Sequence, residues 1–174
     1  MKRAALFVLL LALTTPAFAE APAETGGPVT NQAERDAIAA RVRGGASCAR
    51  CDLFQIDLSY QAIAGRDFSG ARLRQSELQV VTADRADFHG ANLSLANLFG
   101  GRFSRANFVD VNFTGATLVG GYYGGARFAG AILDRANLSG SDLSSASGLT
   151  QAQLNQACGA AMTALPAGLT VPAC

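Results

Sequence analysis

Large apolar side chains return at every fifth position along most of this chain. Residues 51–145 divide into nineteen five-residue units without an insertion, from CDLFQ and IDLSY through ANLSL and GRFSR to SDLSS. The third position of each unit is Leu, Phe, Ile or Tyr except at Ala83, and the first is small or apolar except at Gln61 and Arg66. Neither the 3.6-residue period of a helix nor the alternation of a half-buried strand gives this spacing. A fixed period of this kind predicts stacked units that share one continuous core.

A second period of twenty residues lies over the first. Phe68, Phe88, Phe108 and Phe128 form one column, and Leu58, Leu78, Leu98, Leu118 and Leu138 form another. The remaining columns read Leu53, Leu73, Leu93, Phe113, Leu133 and Ile63, Ala83, Phe103, Tyr123, Leu143. Four units per coil would set like above like, one inter-strand spacing of about 4.8 Å apart, in a rod about 23 Å long. Small first-position residues such as Ala86, Ala106 and Ala126 would then share the interior with the large rings.

Repeats such as ANLSL, ANLFG, ADFHG and ANLSG resemble the A-(D/N)-L-x-x signature of the pentapeptide-repeat family. The resemblance covers residues 51–145 and implies an all-β fold: a right-handed, four-sided parallel β-helix with the first and third residues of each unit facing inward. The stretch from Gly148 to Cys174 is similar to a tail of bacterial members.

An open coil end needs a cover, and the flanks predict short helical caps. Asn31 and Glu34 have capping-box spacing, Ile38 and Val42 share a helical face, and Gly44-Gly45 follows, so a helix is expected over 32–43. Thr150 and Gln153 form a second box, flanked by Leu149 and Leu154, with Gly159 as the stop of a helix over 151–158. The expected organisation is a signal peptide (1–19), a flexible leader (20–30), an N-terminal cap (31–50), the rod (51–145), and a C-terminal cap and tail (146–174).

Cys48 and Cys51 precede the rod while Cys158 and Cys174 follow it. A disulfide requires Cα atoms roughly 4.4–6.8 Å apart, so a rod of this length leaves only Cys48–Cys51 with Cys158–Cys174. The alternative for Cys48-Ala49-Arg50-Cys51 is a redox pair. Thioredoxin-type chemistry needs a βαβ setting and a helix N-terminus, whereas this motif leads into repeats.

Lys2 and Arg3, the apolar run Ala4 to Leu13, and Ala17-Phe18-Ala19 read as a secretory signal cleaved after Ala19. The run is too short to span a bilayer, and no other segment is long and apolar enough. The expected location is therefore periplasmic or secreted. Beyond Ala19 the chain has twelve Arg, no Lys and thirteen acids, a balance that argues against nucleic acid as a partner.

Catalytic chemistry finds little footing. His89 is the one histidine and sits in an outward position, without the companions of a metal site. Asp67 and Asp87 stack one coil apart, but their column continues as Asn107 and Arg127, which reads as turn hydrogen bonding rather than a dyad. GGYYGG at 120–125 is not a phosphate loop and reads as repeat punctuation. No enzyme activity, cofactor or metal is expected.

One surface departs from the pattern. Phe99 and Val119 occupy outward fourth positions, and Arg102 and Tyr122 follow around the adjacent corner, with Arg105 and Arg85 just beyond. Exposed aromatics beside arginines have the composition of an interface anchor, with Arg102 able to lie against Tyr122. The sequence thus predicts a non-enzymatic exported scaffold or binding protein whose protein or envelope partner is unidentified. The alternatives are thiol-redox chemistry at Cys48 and Cys51, and a topoisomerase-protecting DNA mimic. The mimic is disfavoured by export and by a rod with eight Arg and nine acids.

Overall fold

The computed structural model describes residues 32–174; the expected signal peptide, the expected leader and the Asn31 half of the first capping box lie outside them. Parallel bridges join each unit to the one twenty residues on, from Asp52 with Arg72 through to Arg127 with Ser147. The result is a four-sided parallel solenoid. We number its walls by the columns of Phe68 (first), Leu73 (second), Leu78 (third) and Ile63 (fourth).

The inside is assigned by the third and first positions. Every third-position side chain from Leu53 to Leu143 is buried, and the small first-position residues sit beside them. Phe68, Phe88 and Phe108 stack face to face at 5.4 and 5.3 Å, and Phe128 follows at 5.1 Å. On the fourth wall Phe103 and Tyr123 stack at 5.2 Å and 2°. First and third positions there trade volume. Val81 precedes Ala83, whereas Gly101 and Gly121 precede the two rings. A methyl group at Gly121 would sit 2.7 Å from Tyr123 Cε2, and one at Gly101 2.5 Å from Phe103 Cε2. GGYYGG is therefore a packing device rather than punctuation alone.

The backbone turns each corner in the left-handed region. Fifth-position residues from Arg50 to Gly140 have positive φ, including Val80 (52°) and Leu95 (59°). Second-position Asp and Asn support the corner chemistry: their Oδ1 atoms accept the amide two residues on, as in Asp67 with Ser69 and Asn107 with Val109. The same bond recurs at Asp52, Asp57, Asp87, Asn92, Asn97, Asn112, Asn137 and Asp142.

Both ends differ from the expected boundaries. The solenoid starts at 46, not 51, because the Cys48 and Arg50 amides donate to the Asp67 and Ser69 carbonyls at 2.7 and 2.8 Å. Helix α1 (Gln32–Arg43) lies over this end and buries Ala39 and Val42. Arg66, a break in the repeat, serves the cap: its Nη1 and Nη2 donate to the carbonyls of Val42 and Ala62 at 2.6 and 2.7 Å.

At the other end, α2 (Gln151–Leu154) has the Thr150–Gln153 capping box but only four residues. It stops early because Gln156 and Cys158 are drawn into the ladder: Arg135 N–H donates to the Gln156 carbonyl, and Cys158 bridges to Asn137. Cooperative pairing with the last coil outweighs another helical turn. Gln153 Nε2 donates to the Ala131 carbonyl at 2.8 Å, where a further coil would have bonded, and to the Phe128 carbonyl at 3.0 Å, which also accepts the Ala131 amide. The tail then continues the rod through Ala164, opposite Asp142, and returns so that Gly159 pairs with Ala173. Gly159 is not the helix stop. It admits the close approach of Thr163 and Val171, whose side chains lie 2.9 and 2.6 Å from where its Cβ would be.

Candidate binding groove on the fourth wall

The fourth wall carries an open groove of about 500 Å³ lined by Asp84, Arg85, Ser104, Arg105, Tyr122, Gly124, Gly125 and Ser145. It exists because the outward fourth position is Gly124, which leaves room for the Tyr122 ring to fold along the wall over it. Tyr122 remains 46% exposed. The wall's electrostatics follow from what Asp84 can neutralise. Its Oδ2 meets Arg102 Nη2 at 2.6 Å and its Oδ1 accepts the Ser104 amide at 3.1 Å. Asp84 is thereby engaged at both oxygens. Arg85 and Arg105, both exposed corner residues with φ 57°, have no carboxylate partner among the described residues.

The six surface residues singled out in the sequence thus fall into separate groups. Arg85, Arg105 and Tyr122 come together in the groove. Arg102 turns to Asp84 rather than lying on Tyr122, because a close carboxylate attracts a guanidinium more strongly than a ring quadrupole does. The one cation–ring contact among the described residues is Arg72 over Phe54, 5.0 Å from the centroid. Phe99 and Val119 lie on the third wall and do not line the groove. Phe99 is 49% exposed, Val119 is half-buried, and the Gly100 amide donates to the Val119 carbonyl. The groove itself did not stand out in the sequence; its signal was Gly124 in a position otherwise filled by Ala64, Asp84, Ser104 and Ser144.

The cysteines pair as Cys48–Cys51 and Cys158–Cys174, with Cα separations of 5.4 and 4.8 Å. Cys48 tops the Phe column and is buried, so an external thiol can reach only the Cys51 side of the bond. His89 is exposed and its Nδ1 lies 3.2 Å from the Val109 carbonyl. Among the described residues no three His, Cys, Asp or Glu converge as metal ligands. Asp67 and Asp87 bridge one coil apart, and Asp87 Oδ1 also accepts from Asn107 Nδ2 at 2.8 Å, so both serve corners. No helix among these residues is long and apolar enough to cross a membrane.

Comparison with known proteins matches the sequence to the family described as Pentapeptide repeats, eight copies, over residues 67–100, 86–121 and 124–158, more than half of the chain. Among curated proteins there is no match. Of solved structures, HetL of the cyanobacterium Nostoc sp. strain PCC 7120 is a pentapeptide repeat protein involved in heterocyst differentiation regulation. It aligns with TM-score 0.57 and 25% identity over 67% of this chain and 48% of its own. This chain therefore spans about half of that protein's length. A pentapeptide repeat protein of the Arabidopsis thaliana thylakoid lumen is 35% identical over 53% of this chain and 68% of its own, with TM-score 0.34. The trypsin-treated plasmid-mediated fluoroquinolone resistance protein QnrB1 is 21% identical over 62% and 64%, also with TM-score 0.34.

Proposed function

The chain belongs to the pentapeptide-repeat family, whose members form right-handed quadrilateral β-helices, and on that premise we propose that it is an exported, non-enzymatic binding scaffold of the bacterial envelope. The observation that carries this reading is the division of labour across each unit. First and third side chains fill the core, second-position Asp and Asn hold the corners, and backbone amides bond coil to coil. What remains for a partner is the outward side chains, and two large ones, Phe99 and Tyr122, are about half exposed on adjoining walls. Aromatics of this kind supply much of the energy of interfaces. Two disulfides suit an oxidising compartment, which agrees with the signal-like residues 1–19.

The test is recovery of envelope components on immobilised protein. Phe99→Ser with Tyr122→Ser should fold as wild type and lose a component that wild type retains. Ile132→Ser removes an equally exposed apolar residue (50%) from the second wall and should still retain it. Equal recovery by all three proteins would contradict a binding role for this surface.

A further inference from the structure

We propose that the groove on the fourth wall binds an acidic saccharide, with its anionic group held between Arg85 and Arg105 and a sugar ring resting on Tyr122. The proposal rests on the reading of the rod as a binding scaffold and names its ligand class and site.

Charge is the first reason. Arg85 and Arg105 occupy the same corner of successive coils, about 4.8 Å apart along the rod axis. Their like charges repel, and Asp84, the acid that lines the groove with them, already serves Arg102 and the Ser104 amide. Asp142, one coil above Tyr122 on the same wall, is engaged with the Ser144 amide and hydroxyl at 3.0 and 2.6 Å. Asp87, around the corner, accepts from the His89 amide and from Asn107. An external oxyanion relieves the repulsion, and guanidinium forks match a carboxylate or sulfate bidentately.

The second reason is what else lines the groove. Two hydroxyls, Ser104 and Ser145, flank a single aromatic ring that covers Gly124, and Ser145 Oγ accepts the Gly125 amide at 3.2 Å. There is no apolar pocket for peptide side chains. Nor does the wall offer a strand edge: its amides at Phe103, Arg105 and Tyr123 donate to Tyr122, Gly124 and Asp142 of the next coil, and those at Arg102 and Tyr122 donate to Val81 and Gly101 of the previous coil. An extended peptide therefore has no ladder to join. A hydroxyl-bearing, ring-shaped anion can use the two guanidinium groups, the hydroxyls and the aromatic face, while Asp84 stays turned to Arg102 and the Ser104 amide.

The probes are a hexameric oligogalacturonate, a sulfated oligosaccharide of similar length, a neutral galactose oligomer and an oligoglutamate, titrated into the full protein by calorimetry with NMR shift mapping. Binding of the carboxylated or the sulfated sugar, with shifts at Arg85, Ser104, Arg105 and Tyr122, is expected, and the two arms report which anion the groove prefers. The neutral oligomer should bind at least about tenfold more weakly. Arg85→Gln with Arg105→Gln should weaken the acidic sugar about tenfold or more and flatten its salt dependence. Gln already occupies the fifth position of a unit with positive φ at Gln55 and Gln75, at the second-wall corner, so this variant keeps the backbone. Tyr122→Ser should weaken binding while leaving the salt dependence as in wild type. Oligoglutamate binding as well as the uronate would overturn the saccharide assignment in favour of acidic proteins. Absence of binding by both acidic sugars, or wild-type affinity in the double Arg variant, would overturn the site itself. Retention of an envelope component by the Phe99 and Tyr122 surface alongside such a failure would leave the scaffold reading standing.

Discussion

Phe108 sits where the inside–outside assignment is most exposed to test. Its ring meets those of Phe88, Phe103, Phe113, Tyr123 and Phe128 at centroid distances from 5.1 to 6.1 Å, and it is fully buried. Truncation to Ala opens a cavity between coils whose ladder bonds hold them at fixed spacing, so the void cannot collapse. Phe→Ala in such sites costs about 3–5 kcal/mol. Stacked and edge-on ring pairs are worth about 0.5–1.5 kcal/mol each beyond area, which sets Phe108→Ala at the upper end of that range. Phe68 begins the ring stack and has one ring partner, Phe88 at 5.4 Å, so Phe68→Ala should cost at least about 1 kcal/mol less. His89→Ala, on the outside of the same wall, should stay within about 0.5 kcal/mol of wild type. Urea melts at constant slope measure all three. Equal losses for Phe108 and His89, or a larger loss at Phe68 than at Phe108, would refute the packing account.

Tyr123→Phe should stabilise the protein by about 1 kcal/mol, because the buried hydroxyl has no hydrogen-bond partner among the described residues. Burial also pushes this phenol up from its usual range, so the folded protein binds a proton that the unfolded chain releases. Wild-type stability should therefore fall as pH rises past the ordinary tyrosine range, less so in the variant, as alkaline melts would show. Gly120→Ala should cost about 1 kcal/mol in thermal melts with no clash to blame, since φ is +65° and nothing lies within 4 Å of the added methyl. Asp142 is held below the usual carboxylate range first by the Ser144 hydroxyl and then by its amide. Its contribution is present above the unfolded carboxylate range and lost as pH falls through the depressed value. Ser144→Ala should raise the Asp142 titration point seen by carboxyl NMR, and an unchanged midpoint would rule out that bond.

The rod was legible in the sequence because its two periods act on chemically distinct residues: large apolar side chains at third positions, and Phe sorted from Leu at twenty-residue steps. What escaped was set by contacts that no period encodes. Arg66 reads as an error in the repeat until the Val42 carbonyl is placed above it. The last partial coil was hidden because α2 and the following turns shift its offsets to Asn137–Cys158 and Asp142–Ala164, which breaks the five-residue spacing. The groove depended on a missing side chain at Gly124, and Arg102 left its predicted place beside Tyr122 for a carboxylate on the coil below.

The central claim is an exported rod closed by its disulfides, and intact mass spectrometry of the protein recovered from fractionated cells, without reductant, tests it most directly. The account predicts a periplasmic or secreted species that begins at Glu20 and carries two disulfides with no free thiol. A cytoplasmic species that retains residues 1–19 with four reduced cysteines would contradict it.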